Sequence, residues 1–272
     1  MHELALEQRR DLGVRAPWHV GDVTWGLRQH EGREDEWTIR IWRDGDRPVA
    51  WSWLKGDRGL LEFDLRRNRL DLLDEILAEP EARSTVVFED EDEVRAALVR
   101  HGFRREGAAA SRHGSLLHFL ARDLAEAPEP PALPGGFGYR TVEPGDLAER
   151  VAIHREVWAP SRVTESSFAN VQGSWPYRAS LDCVVEAPDG RFAAYCLMWP
   201  DDENRVGELE PVGVREEFRR RGLGAAVCTF ALRRLYEEGG RQAVVMCQND
   251  VACALYESIG FGRHGTAVGY SR

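Results

Sequence analysis

The sequence has almost no lysine. Of its 36 basic residues only Lys55 is not arginine, a skew that reads as codon usage from a GC-rich genome rather than as chemistry. Cysteine is sparse too. Cys183, Cys196, Cys228, Cys247 and Cys253 all lie in the second half, are odd in number and form no C-x-x-C pair. That pattern fits reduced thiols, each a small buried core residue, in a cytoplasmic protein. No apolar run approaches the ~18 residues that would span a bilayer, so no membrane partner is expected. The start MHELALEQRRDLG lacks the basic-then-apolar order of a secretory leader. The eight histidines are scattered, with neither HExxH nor a His/Cys ligand spacing, so no metal site is expected. G-x-S-x-G and G-x-x-x-x-G-K-[ST] are both missing. The net charge of −10 argues against a general nucleic-acid binder and favours cationic or neutral small partners.

What is present is a globular composition. The 272 residues are 43% hydrophobic and 30% charged, enough for one large domain or two ordinary ones. A proline-rich stretch over 125–136, ending in Gly135-Gly136, resists helix and sheet and acts as a semi-rigid spacer. It divides the chain into residues 1–124 and 137–272. Net charge divides unequally, −7 over 1–136 and −3 over 137–272.

In the second half the pattern predicts a strand over 137–141 and a helix from Pro144 to about Val157 with Asp146 as N-cap. A loop and short helix follow over 159–172. A hairpin over 181–186 and 192–199 turns at Asp189-Gly190, and 206–214 is a third strand. Leu223, Val227, Phe230, Ala231 and Leu235 keep helical spacing over 222–238. A buried-type strand over 243–247, a helix over 249–259 and a last strand over 265–270 complete it. The first half repeats this order with a hairpin at Asp44-Gly45 and a strand over 60–65. Helical segments over 70–77 and 92–100, and strands over 85–88 and 116–120, then follow. Val86-Val87-Phe88 through Gly102-Phe103 matches Val244-Val245-Met246 through Gly260-Phe261. Two copies of one α/β unit follow, the first diverged.

The chemistry concentrates in 207–227, a strand entering an Arg/Gly-rich turn that opens a helix. Helix starts carry unpaired N–H groups and partial positive charge. Glycine lets the backbone close on an anion, so Arg219-x-x-Gly222-x-Gly224 has the form of a pyrophosphate cradle. Arg219, Arg220 and Arg221 add positive charge in an acidic chain. Asn249 and Tyr256, seven residues apart on one helix, share a face. A tyrosine hydroxyl there is placed to protonate a leaving thiolate.

These residues together resemble the GNAT superfamily of acetyl-coenzyme-A-dependent N-acetyltransferases. The likeness covers about 137–270. Val214 with Arg219-x-x-Gly222-x-Gly224 is similar to the family's acetyl-CoA signature, and Asn249, Tyr256 and Gly260-Phe261 to its second signature. The layout of the whole chain is similar to tandem members such as mycothiol synthase. The fold implied is α/β: two tandem GNAT-like units, each a mixed, mostly antiparallel sheet flanked by helices. The resemblance implies backbone amides of Arg220, Arg221, Gly222, Leu223, Gly224 and Ala225 around the pyrophosphate. It implies Val212, Gly213 and Val214 paired with the pantetheine arm like an added strand. The activity implied is transfer of an acetyl group from acetyl-CoA to a primary amine of a small molecule by direct attack, with Tyr256 as general acid. A non-catalytic acyl-CoA-binding or scaffold protein, or a transferase for another acyl group, is the alternative.

Three features stay open at this point. The base is Glu208, Glu210 or water. Strand alternation puts both carboxylates on the face shared with Val212 and Val214, and Pro211 suits a local opening of the sheet. The acceptor wall is expected in the loop-rich stretch 158–177, which offers Trp158, Ser161, Arg162, Glu165, Trp175 and Tyr177, with Trp199 beside it. The oligomeric state is unassigned. The first unit is expected to bind no acetyl-CoA, since Arg66-Arg67-Asn68-Arg69-Leu70 has no glycine and Leu98 stands where Tyr256 stands.

Overall fold

In the computed structural model, residues 1–56, 58–107 and 116–272 are described. The first half runs α1 (His2–Leu12), α2 (Val20–Arg28), β1 (Trp37–Asp44), β2 (Arg47–Lys55) and β3 (Leu60–Leu65). It continues through α3 (Leu73–Leu77), β4 (Ser84–Phe88), α4 (Asp92–Arg100), β5 (Arg104–Arg105) and β6 (Leu116–Asp123). The second half runs β7 (Gly138–Thr141), α5 (Leu147–Val157), α6 (Glu165–Gln172), β8 (Asp182–Glu186), β9 (Phe192–Asp201) and β10 (Val206–Val214). It ends with α7 (Leu223–Glu237), β11 (Gln242–Cys247), α8 (Asp250–Ser258) and β12 (Gly262–Ser271). No helix among the described residues is long and apolar enough to cross a membrane.

All the strands join one sheet in the order β1-β2-β3-β4-β12-β6-β11-β10-β9-β8-β7, with β5 on β12. The two halves are not separate sheets meeting at a linker. Each lends its last strand to the other. β6 pairs antiparallel with β11 from Gln242↔Asp123 to Cys247↔His118. β12 pairs with β4 from Ala267↔Phe88 to Ser271↔Ser84. β6 and β12 then pair with each other and fuse the units. The boundary at residue 124 therefore divides the chain but not the sheet: β6 is first-half sequence in second-half structure.

The main core lies where α7 packs on β8–β11, around Val227, Ala231, Leu232, Cys196 and Met198. A second core, around Leu54, Leu61, Leu77 and Leu98, also takes in Val268 and Tyr270 of the borrowed strand. On the face opposite α7, α5 is held to β8 by the Arg150–Asp182 pair, Nε to Oδ1 at 2.9 Å, both side chains fully buried. Asp146 does precede α5, but its carboxylate binds the Glu143 N–H at 2.7 Å and Arg140 and makes no bond to the helix start. Proline at 144 begins a short 3₁₀ turn first, and that turn draws the carboxylate upstream.

The sequence reading assigned no structure to residues 1–28. They form α1 and α2, and α2 packs on β9 and β10. Its start is a capping box in which His19 Nδ1 accepts the Gly21 N–H at 3.0 Å and Asp22 accepts the His19 N–H at 2.7 Å.

Candidate functional site

The Arg/Gly turn has the cradle form. Arg220 and Gly222 both have positive φ, 60° and 77°, and Gly222 is the left-handed N-cap of α7. The first amides of α7 therefore point out of the helix start without helical partners. A Cβ on Gly224 would lie 2.7 Å from Leu255 Cδ1 and 3.3 Å from Val214 Cγ2, so only glycine lets α7 seat this deeply between β10 and α8. Arg219, Arg220 and Arg221 are exposed around it. Anionic phosphates fit this set of donors.

Beside the cradle the sheet opens. β10 pairs with β11 only from Val206↔Gln242 to Glu208↔Val244, and the two strands then diverge. On its other edge β10 shifts register against β9 between Leu209 and Val212, across the cis Glu210–Pro211 bond. This bulge reverses the alternation. Glu208 and Glu210 line a cavity on the α2 side, whereas Val212 and Val214 pack on the α7 side with the main core. The expected common face of these four residues is thus corrected: the bulge puts carboxylates and valines on opposite sides of the opening. Gly213 turns toward Tyr195 and Val157.

A third carboxyl group joins the pair from the first half. Asp22, Glu208 and Glu210 each bring a carboxylate oxygen within 4.8 Å of the others. The Asp22 N–H donates to Glu208 Oε2 at 3.1 Å, and His19 Nδ1 lies 3.2 Å from the same oxygen. An oxygen-only cluster of this kind suits a cation, a hard metal ion or an ammonium group. Burial, and then Glu210, push the Glu208 carboxyl up to about 8. Burial and Asp22 raise Glu210, and burial and Glu208 raise Asp22. Three carboxyls this close cannot all ionise, so the cluster stores protons. His19 is held down to about 3 by burial and by Arg9, so it stays neutral.

Tyr256 is buried on the α7 side of the opening, edge-on to Phe261 at 5.9 Å. Burial, then the Cys228 and Cys196 thiols, raise its hydroxyl well above the usual value, so it keeps its proton. Asn249 stands seven residues before it at the start of the same helix. It is the N-cap of α8, its side chain accepting the Ala252 N–H at 2.9 Å. The thiol expectation is also corrected: Cys247 and Cys253 form a disulfide, and only Cys183, Cys196 and Cys228 are free. Cys247 ends β11 and Cys253 sits in the first turn of α8, so the strand-to-helix turn brings their Cα atoms to 5.5 Å. A search for C-x-x-C pairs passes over this wider spacing.

The 158–177 stretch, where the acceptor wall is expected, contributes no residue to the lining of the cavity beside the carboxyl cluster. Trp158 is half exposed and donates from Nε1 to Tyr195 Oη at 2.8 Å. Glu165 is exposed on α6. Trp175 is exposed, edge-on to His2 at 5.3 Å. Tyr177 hydrogen-bonds Gln172 and Asp182. Trp199 is fully buried and donates to the Glu210 carbonyl at 2.5 Å, so it braces the bulge. The stretch packs on α2 through Phe168 and Val171 against Trp25, and α2 itself lines the cavity. That cavity, of about 320 Å³, lies between α1–α2 and the concave sheet. Trp18, Trp25, Phe63 and Phe119 supply aromatic surface, and Arg9, Asp22, Lys55 and Asp64 supply charge. Of the residues singled out by sequence, only Glu208 and Glu210 reach it. Asp22, Arg9 and Asp64 were missed because nothing in their local pattern marks them. The one available signal was the His19-x-x-Asp22 cap ahead of Val20, Val23 and Trp25.

Residues 149–261 match the family model described as the acetyltransferase (GNAT) family. Curated relatives include the mycothiol acetyltransferases of Streptomyces coelicolor and Amycolatopsis mediterranei. The first is 28% identical over 193 residues, 65% of this chain and 61% of that protein. The second is 32% identical over 190 residues, 62% of this chain and 60% of that protein. The chain spans about three fifths of the length of these relatives. Among solved structures, a GCN5-related N-acetyltransferase from Sphaerobacter thermophilus superposes with a TM-score of 0.66 at 19% identity, covering 100% of this chain and 90% of that one. A tandem GNAT protein from the clavulanic acid biosynthesis pathway gives 0.67 at 17%, covering 98% and 94%. Those two likenesses concern the fold. Residues 149–261 thus match the GNAT acetyltransferase family model, and the chain as a whole has a mixed α/β GNAT-like fold.

Proposed function

We propose that this chain transfers an acetyl group from acetyl-CoA to a primary amine of a small molecule, by direct attack. One observation carries the reading. The diverging β10 and β11 leave a gap with a proton-holding carboxyl cluster on one side and a proton-bearing tyrosine on the other. The anion cradle at α7 stands beside that gap, and the deep seating that Gly224 permits is what a bound pyrophosphate needs. Acetyl-CoA held there supplies the activated thioester carbonyl. The relatives' shared name, mycothiol acetyltransferase, supports acetyl transfer and a small acceptor.

The residues divide the work as follows. Backbone amides of Arg220 to Ala225 bind phosphate oxygens. The edge of β10 over Val212 to Val214, free of β11, offers strand pairing to an extended arm. The cluster of Asp22, Glu208 and Glu210 attracts the ammonium form of the acceptor and takes its proton. Glu208 is the base, with the Asp22 N–H orienting its carboxylate. Tyr256 Oη gives its proton to the leaving sulfur.

The test is calorimetric titration with acetyl-CoA, followed by thiol release across a panel of primary amines. Binding heat, and release only when an amine is present, are expected. Binding without release for every amine would make the chain a non-catalytic acyl-CoA-binding protein. The product mass identifies the acyl group, and preferred use of a longer acyl-CoA would overturn acetyl as the group.

A further inference from the structure

The cavity wall is charged out of balance. Three cations, Arg9, Lys55 and Arg67, face six carboxyl groups: Asp22, Glu62, Asp64, Glu91, Glu208 and Glu210. Two of the cations are already matched. Lys55 Nζ, the only ammonium side chain of the protein, lies 2.6 Å from Glu62 and 4.3 Å above the Trp53 ring. Arg67 makes two bonds to Glu91. Arg9 is engaged with backbone, donating to the Gly13 carbonyl at 3.0 Å. Among the described residues, Asp22, Glu208, Glu210 and Asp64 have no arginine or lysine as ion-pair partner. Buried carboxylates in that state need either protons or a cation.

Asp64 stands apart from the other three. It lies on β3 two residues beyond Glu62, on the same strand face, and Glu210 on β10 feels the charges of both Lys55 and Glu62. The curl of the sheet therefore sets β3 against β10 across the cavity. Asp64 is 3% exposed. Its Oδ1 accepts from Gln8, and its Oδ2 has no hydrogen-bond partner. Trp18 gives the same end of the cavity an aromatic surface, fixed by its Nε1 bond to the Phe63 carbonyl at 3.0 Å. Burial lifts the Asp64 carboxyl to about 7, against the Gln8 hydrogen bond, Arg67 and the chain's N-terminal ammonium. An ammonium group at the open valence of Oδ2 would bond that oxygen and hold the carboxylate ionised.

We propose that the acceptor is a dicationic small molecule, an α,ω-diamine or polyamine, with one amine at Asp22, Glu208 and Glu210 and a second ammonium held by Asp64 on the facing wall. This rests on the acetyl-transfer reading above and specifies its substrate class. The bound ammonium first gives one proton to the carboxyl cluster, which passes it to solvent. The neutral nitrogen then bonds the acetyl carbon as the carbon–sulfur bond breaks, its second proton goes to the cluster, and Tyr256 gives a proton to sulfur and regains one from solvent.

The experiment uses the full chain and two readouts. Calorimetry measures binding of 1,4-diaminobutane, 1,5-diaminopentane and spermidine against butylamine and pentylamine. Thiol release with acetyl-CoA gives kcat/KM for the same amines. A charge-assisted hydrogen bond corresponds to roughly tenfold to hundredfold in affinity, so the diamines should exceed the matched monoamines by that factor in both readouts. Asp64→Asn should bring the ratio near one through KM, with acetyl-CoA binding heat reporting that the variant is folded. Equal use of diamines and monoamines by the parent enzyme would overturn the dication inference and leave acetyl transfer standing, whatever the variant does. Preference for hydroxylated monoamines would overturn it likewise. Acetyl-CoA binding with no release from any amine would overturn the transfer reading itself.

Discussion

Replacing Gly21 by alanine probes whether the first half of the chain builds the active site. A Cβ at this position would lie 2.4 Å from Trp199 Cγ and 2.7 Å from Glu208 Oε2. Ordinary contact begins near 3.4 Å, so about 1 Å of movement is required. Trp199 cannot supply it. The ring is fully buried, and its Nε1 is bound to the Glu210 carbonyl. The start of α2 must lift instead, which stretches the 3.1 Å bond from the Asp22 N–H to Glu208. Overpacking of this kind costs about 1–3 kcal/mol. At ~2–4 °C per kcal/mol for a chain near this size, melting should fall by roughly 2–12 °C. Displacement of a positioning contact by ~1 Å costs about a hundredfold in rate. Thiol release by Gly21→Ala should therefore drop about a hundredfold. Acetyl-CoA binding should persist, because the cradle at Gly222 and Gly224 lies on the other face of the sheet. Parental kcat/KM in this variant would refute the claim that α2 holds part of the catalytic cluster.

Three further outcomes are expected. Tyr256→Phe should lower kcat by ~10²–10⁴ while acetyl-CoA binding heat is kept; parental turnover would make Tyr256 a packing residue. Glu208 carries a carboxyl raised by burial from 4.5 to about 8. The folded state thus binds more protons than the unfolded one between those values, and stability should fall as pH rises through that window. Glu208→Gln should flatten the fall in denaturant titrations at pH 4 to 9, and it should remove the rise of kcat/KM toward about pH 8. An unaltered pH dependence would assign the protons to another group. Finally, the intact chain should bind one acetyl-CoA, and replacement of Gly222 and Gly224 together by leucine should abolish it. A second site, or one that survives, would make the first unit a working cofactor domain.

The second half was the more legible part, for physical reasons. Its helix α7 carries regular apolar spacing, and its turns carry glycines at positive φ, at Gly190, Gly239 and Gly260. Local rules are sufficient for such features. The phosphate cradle was legible for the same reason: a helix start and its glycines lie within ten residues of one another. The cavity was not. It is made by Arg9 and Asp22 on two N-terminal helices, Asp64 on a strand of the first half, and Glu208 and Glu210 beyond the linker. Nothing local binds these residues together. The reversal of faces at Glu210–Pro211 shows a finer limit. Period-2 alternation holds only while each residue opposes one partner, and a bulge inserts a residue that the pattern does not count.

The strand exchange ties the second half of the chain to the first. If each half closed its own sheet, the first could drift or be lost without harm to the second. Here β11, which forms one wall of the opening, is hydrogen-bonded along its length to β6 from the first half. β12, which follows directly from α8 and Tyr256, reaches its place only by pairing with β4 and β6. The first half therefore sets the edge against which β10 diverges and fixes the chain that follows Tyr256. Through α2 it also supplies Asp22. The first half is required for the shape of the opening beside Glu208 and Tyr256, because the sheet around it belongs to both halves.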